Sequence, residues 1–187
     1  MNQKRILLGV SGASGTPYSM AILKGLKAAG YEVHLIVSSA AEKVIELESD
    51  YTLADLIDLA DAAHDIKDFA APPSSGSWQH CGMIICPCSM SSLASIAHGT
   101  GTNLLHRCAD VTLKERRPLL IAPRETPLNQ IHLKNMLAVQ EAGAIIFPPS
   151  PGFYHRPQSI DDLINHVAGR MLDQMGIENN LFNRWGE

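Results

Sequence analysis

Nowhere does this chain carry an apolar run long enough to span a bilayer, which excludes a membrane helix. It also lacks the apolar core and cleavage site of a secretory leader. Met1-Asn2-Gln3-Lys4 leads straight into a strand pattern, so a cytoplasmic protein is expected. A basic excess is missing too. The formal net charge is -4, whereas a general nucleic-acid binder shows a basic electrostatic footprint. The four cysteines include no Cys-x-x-Cys pair: Cys86 and Cys88 are separated by Pro87 alone, and Cys81 and Cys108 stand apart. Neither a bound metal nor a disulfide is expected from that spacing, and buried reduced thiols are.

What the chain does have is one domain's worth of core. Its 187 residues are 45% hydrophobic, enough to bury roughly 70% of the unfolded surface in a single domain. The stretch Gly9-Val10-Ser11-Gly12-Ala13-Ser14-Gly15 follows the apolar run Arg5 to Leu8 and precedes a helical pattern from Tyr18. A strand, a glycine turn and a helix start in that order make an anion site, because unpaired N–H groups at the helix N-terminus point outward with the positive end of the dipole. The letters do not name the anion. They lack the Lys-Ser/Thr ending of an NTP-binding loop and the Gly-x-Gly-x-x-Gly dinucleotide fingerprint, and a plain tight turn would read the same.

Further along, helical spacing covers Tyr18 to Ala29, closed by Gly30, and Glu32 to Val37 reads as a strand ended by Ser38. Helices are expected over Ala40 to Glu48 and Leu53 to Leu59. Phe69 to Ser77 reads as a flexible loop with an apolar tip, of the kind that serves as a lid. Met83 to Cys86 is a buried strand, and the hydroxyl-bearing turn after it opens a helix over Ser91 to His98, repeating the first arrangement. Leu104 to Glu115 is helical, Pro118 to Ala122 is a strand, Leu128 to Ala142 is a helix capped by Gly143, and Ala144 to Phe147 is the last strand. Ser159 to Met175 closes the pattern. Five strands alternating with helices give an α/β fold, a Rossmann-like or flavodoxin-like parallel sheet with helices on both faces. Ligands of such sheets bind beyond the C-terminal strand ends, so Ser38, the glycine loop and the turn at Ser89 face one crevice.

Two charged groups stand out. Arg107 and Lys114 lie two helical turns apart on one face, so both can address one ligand, and Arg124-Glu125 sits between Pro123 and Pro127 at a strand's C-terminal end. His98 and His132 fall on helical patterns and read as structural. The chain divides into a domain over 1–175 and a tail over 176–187. That tail is apolar and aromatic and follows the last helix, which suits docking on a neighbouring subunit. Pattern alone supports a binder of a nucleotide or flavin phosphate and names no reaction.

Gly12-Ala13-Ser14-Gly15, Cys86-Pro87-Cys88-Ser89, Ala109-Asp110-Val111 through Leu113 to Leu119, Pro123-Arg124-Glu125-Thr126-Pro127 and Phe153-Tyr154-His155-Arg156-Pro157-Gln158-Ser159 together resemble the flavin prenyltransferase family of the UbiX type. The resemblance spans nearly the whole chain. It implies a metal-independent transferase that joins the dimethylallyl group of dimethylallyl monophosphate to N5 and C6 of reduced FMN. The prenylated FMN so made serves a UbiD-type decarboxylase, and the enzyme is a homo-oligomer, a trimer or dodecamer. Carried onto this sequence, the resemblance gives FMN to Gly12, Ala13, Ser14, Ser38, Ser89, Met90, Ser91, Ser92 and Arg124. It gives the donor phosphate to Arg107, Lys114, Tyr154 and Arg170. Glu125, Ser14 and Glu48 become the catalytic groups, and no metal ligand is implied. Phe69 stands where some members have a tryptophan in the lid loop. Two competing expectations are an FMN-dependent cysteine decarboxylase of related fold, whose Pro-Ala-Ser-Ala-Asn-Thr segment and catalytic His find no match here, and a non-catalytic FMN carrier.

Overall fold

Along Arg5–Val10 (β1) Ile6, Leu8 and Val10 face one layer of side chains and Leu7 the other, and none of the four is more than 1% exposed. Burial on both faces is what a central parallel strand demands. The computed structural model describes residues 4–186; Met1, Asn2 and Gln3 of the expected leader-free start, and Glu187 of the tail, lie outside the described residues. Around β1 the strands Glu32–Val37 (β2), Ala62–His64 (β3), Met83–Cys88 (β4), Leu119–Pro123 (β5) and Ile145–Ile146 (β6) form one parallel sheet in the order β3-β2-β1-β4-β5-β6. The chain leaves β1 toward β2 and β3, then returns to place β4 on the other side. That reversal opens a crevice between the ends of β1 and β4.

The helices divide by face. Thr16–Ala28 (α1), Ser39–Glu48 (α2), Leu53–Leu59 (α3) and Ile160–Gln174 (α7) supply Leu23, Ile45, Leu56 and Met171 to the core over Ile6, Leu8 and Ile84. Met90–Ala97 (α4), Leu104–Lys114 (α5) and Gln130–Glu141 (α6) supply Leu93, Leu105 and Val139 to the core over Leu7 and Ile85. Each fully buried aliphatic contributes about 1.5–3 kcal/mol against the entropy of ordering it. Sequence-local caps fix where the helices begin: Ser38, Thr52, Ser89, Asn103, Asn129 and Ser159 each accept a backbone N–H in the first turn, worth about 1 kcal/mol apiece.

Three expectations change. A sixth strand, β3, lies at the edge beside β2, where the sequence shows only Ala-Ala-His. The Phe69–Ser77 stretch is pinned rather than flexible: Ala71 and Pro73 are buried, and Pro72–Ser74 makes a 3-10 turn. Arg117 donates to the carbonyls of Trp78 and Gly76 at 2.8 and 2.7 Å, and Arg107 Nε donates to Ser74 O at 3.2 Å. Finally, Cys81 is exposed, while Cys86, Cys88 and Cys108 are the buried thiols. No helix among the described residues is long and apolar enough to cross a membrane.

The tail folds onto its own chain. Ile177 and Leu181 join the core beneath α1 and α7, Phe182 lies edge-on to His166, and Arg184 binds both oxygens of Asp173 at 2.9 and 2.8 Å. Trp185 remains 79% exposed.

Candidate functional site

The crevice is built from two loops tied to each other. After β1 the buried Ser11 donates its hydroxyl to Pro87 O at 3.3 Å and accepts the N–H of Ser89 at 2.8 Å. Ser19 of α1 donates to Cys86 O at 2.7 Å. The second loop is thereby held against the first by groups that are themselves out of water, where an unmade bond would be costly. The Cys86–Pro87 peptide is cis. Neither cysteine is a nucleophile: burial pushes both thiols up, Cys88 to about 12.

Glycine is required twice in the first loop. Gly15 has φ of 128°, a conformation that side chains resist, and a Cβ on Gly12 would lie 2.5 Å from Cβ of Ala40. The loop therefore lies flat against the N-terminus of α2, whose cap is Ser38.

At the other end of α2, Glu48 Oε1 accepts the N–H groups of Gly15 and Thr16 at 2.7 and 2.8 Å. These are the orphan donors at the start of α1, so the anion that the glycine loop selects there is a carboxylate of this chain. The Ser14 hydroxyl also lies near Glu48. Burial pushes the Glu48 carboxyl up, but Ser14 and the bonds from Thr16 and Gly15 outweigh it and hold the group below its ordinary 4.5. A carboxylate whose folded value is depressed stabilises the fold fully above its unfolded value and loses that contribution as pH falls through the folded one. Glu48→Gln should therefore melt lower than the parent at pH 7, with the gap closing as pH drops below 4.5; a gap constant from pH 7 to pH 3 in thermal melts would contradict this.

The N-terminus of α4, beyond the end of β4, keeps open amides. Ser89 accepts the Ser92 N–H at 3.2 Å, and the amides of Met90 and Ser91, first in the helix, have no intrahelical acceptor. Ser14 and Ser91 are exposed and Ser89 half-buried. Arg124 spans the crevice from the end of β5: its N–H donates to Cys88 O at 3.1 Å and its Nε to Ser14 O at 3.2 Å. Glu125 beside it is exposed, and one carboxylate oxygen accepts the Thr126 N–H at 3.0 Å. Ser14, Ser38, Glu48, Ser89 to Ser92, Arg124 and Glu125 thus gather at the strand ends.

The four cationic and phenolic candidates do not gather in one chain. Arg107 and Lys114 lie on α5, on one face of the sheet; Tyr154 and Arg170 lie on the face of α7. Arg107 is paired with Asp110 at 2.7 Å and Lys114 with Glu115. Phe69, half exposed, borders a small cleft with His106, Arg107 and Asp110, whereas Trp185 lies edge-on to Tyr154. His98 bonds the Ala94 carbonyl and His132 closes a capping box with Asn129, both structural. What the sequence did not disclose is the Glu48 latch, whose partners are 32 and 33 residues away, and the pairing of Tyr154 with His166.

A parallel α/β sheet with hydroxyls, open helix amides and an arginine at its switch point suits a phosphate-bearing ligand, and residues 1–172 match the Flavoprotein family, which makes the chain a flavoprotein. The chain is 49% identical to the flavin prenyltransferase UbiX of Escherichia coli strain K12, over 97% of this chain and 98% of that one. A crystal structure of AnUbiX (PadA1) in complex with FMN and dimethylallyl pyrophosphate has a TM-score of 0.98 at 47% identity, covering 100% of this chain and 99% of the other. The dodecameric FMN-dependent UbiX-like decarboxylase from Escherichia coli O157:H7 has a TM-score of 0.95 at 44% identity, with 98% and 100% covered. This chain belongs to the flavin prenyltransferase family of the UbiX type. A PPC decarboxylase, 20% identical with a TM-score of 0.60, shares the fold alone.

Proposed function

We propose that this protein transfers a dimethylallyl group from dimethylallyl monophosphate to N5 and C6 of reduced FMN, giving prenylated FMN for a UbiD-type decarboxylase. The observation that carries the reading is Arg124 bridging the two crevice loops with Glu125 at its side, in a chain of this family. The donors present suit FMN: exposed hydroxyls, two open helix amides and a guanidinium. Gly12, Ala13, Ser14, Ser38, Ser89, Met90, Ser91, Ser92 and Arg124 would hold it. Reduced flavin, when bound, supplies the nucleophilic positions that accept the prenyl group.

The chain's own residues supply the rest. The carbon–oxygen bond of the donor breaks as its carbon joins N5, N5 loses its proton and inorganic phosphate leaves. Closing the ring then consumes the prenyl double bond, one carbon of which takes up a proton while the other bonds C6 and C6 gives up its proton. Arg107, Lys114, Tyr154 and Arg170 meet the charge growing on that phosphate, which preorganised donors do without a metal. Glu125 accepts a proton lost from the ring, and Ser14, beside Glu48, relays it. Because the sheet separates Arg107 and Lys114 from Tyr154 and Arg170, one phosphate meets all four only at a boundary between subunits. A homo-oligomer follows, which the family resemblance makes a cytoplasmic trimer or dodecamer, and the exposed Trp185 of the tail is one group that can touch a neighbour.

Anaerobic incubation with reduced FMN and dimethylallyl monophosphate should yield a flavin whose mass has grown by one prenyl group. Recovery of unmodified FMN would overturn the transferase and leave an FMN carrier. The same assay run with dimethylallyl pyrophosphate tests the donor preference.

A further inference from the structure

The loop that follows β6 lays Tyr154 against α7, where its hydroxyl lies 2.7 Å from Nε2 of His166. His166 is 5% exposed and boxed by rings: His155 stacks on it at 4.3 Å, and Tyr154 and Phe182 meet it edge-on at 5.3 and 5.0 Å. The imidazole cannot swing. Its other nitrogen, Nδ1, is buried with no hydrogen-bond partner. One turn further along the same helix face stands Arg170, whose nearest carboxylate oxygen, on Asp173, is 4.0 Å away. Asp173 is already engaged by Arg184 and by the Asn179 amide at 3.0 Å, so the Arg170 guanidinium keeps most of its donors.

Between the phenol and Nε2 one proton is shared, and there are two ways to place it. If Tyr154 donates to Nε2, the phenol oxygen offers only lone pairs outward, which an anion beside Arg170 repels. The ring proton then sits on Nδ1, a buried N–H without an acceptor, which is the rarer kind of orphan. If Nε2 carries the proton and donates, the tyrosine O–H turns outward as a donor and Nδ1 keeps a lone pair. We propose that His166 is a positioning residue: its Nε2–H holds the Tyr154 oxygen and turns the phenol proton outward, so that Tyr154 and Arg170 together grip a phosphate monoester. Burial, with the nearby His155 and Arg170, holds His166 below its ordinary 6.5, so the ring is neutral near pH 7 and a tautomer is defined. This role rests on the reading of Tyr154 and Arg170 as donor-phosphate residues.

Nitrogen-15 NMR of the ligand-free protein, and again with inorganic phosphate added, reads the tautomer directly. The Nε2–H form is expected in both; an Nδ1–H form with phosphate present overturns the proposal. In kinetics, His166→Phe should raise KM for dimethylallyl monophosphate by about ten-fold, the size of one hydrogen bond to a charged group, with FMN affinity unchanged. His166→Gln, whose amide nitrogen reaches near the Nε2 position, should recover most of the loss. In a Tyr154→Phe background His166→Phe should cost nothing more, since the two act through one hydroxyl. An equal KM increase in both backgrounds would mark a purely structural histidine and sink the proposal. Should the parent protein make no prenylated flavin, the transferase reading fails alone, and the tautomer still decides the role of His166.

Discussion

Glu125→Gln is expected to bind FMN as the parent does and to slow prenyl transfer by about 10²–10⁴-fold, the usual contribution of a positioned general base. Glutamine keeps the shape and can still accept the Thr126 N–H that holds the side chain, so backbone geometry at the β5 end is preserved. What it cannot do is take a proton. The flavin affinity, from fluorescence quenching, and the single-turnover rate of prenylated FMN formation separate the two effects. Turnover within about two-fold of the parent, far short of that loss, would remove Glu125 from the chemistry and leave Arg124 as the functional member of the pair.

The second large effect is structural and reaches the site through packing. Gly12→Ala places a methyl 2.5 Å from Cβ of Ala40 and 3.3 Å from its carbonyl carbon. Neither neighbour is the far end of a flexible side chain, so the glycine loop must lift from α2. Overpacking of this kind costs about 1–3 kcal/mol, which for a chain of this length lowers the thermal midpoint by roughly 3–10 °C. FMN affinity should fall with it, because the lifted loop carries Ser14. Ala40→Gly in the same chain removes the nearest atom and should return part of both losses. A Gly12→Ala protein that melts with the parent would mean that the loop has slack that its distances do not show.

How far the sequence reaches is clearest at particular elements. Strands β1, β2, β4 and β5 are runs of buried aliphatics and announce themselves, and α3 occupies the expected Leu53–Leu59. Strand β3 does not announce itself: Ala62–His64 has neither alternation nor β-branched residues, and it is a strand because β2 offers an edge to pair with. The Phe69–Ser77 loop reads as mobile from its prolines, serines and glycine, yet Arg107 and Arg117, contacts more than thirty residues distant, hold its carbonyls. At the site, serine caps and glycines are local signals and were legible. The Glu48 latch is not, since a glutamate at a helix end carries no mark of the distant amides it will accept. Nor does a linear pattern tell that Arg107 and Tyr154 lie on opposite faces of the sheet.

Ser11 has a consequence of its own. By bonding both Pro87 and Ser89 it joins the loop after β1 to the loop after β4, and the two crevice walls become a single stiff mould. Its shape is set when the chain folds, so a ligand entering between the walls finds them already ordered. Little conformational entropy is left to lose at the moment of binding, and more of each contact made there is retained as affinity.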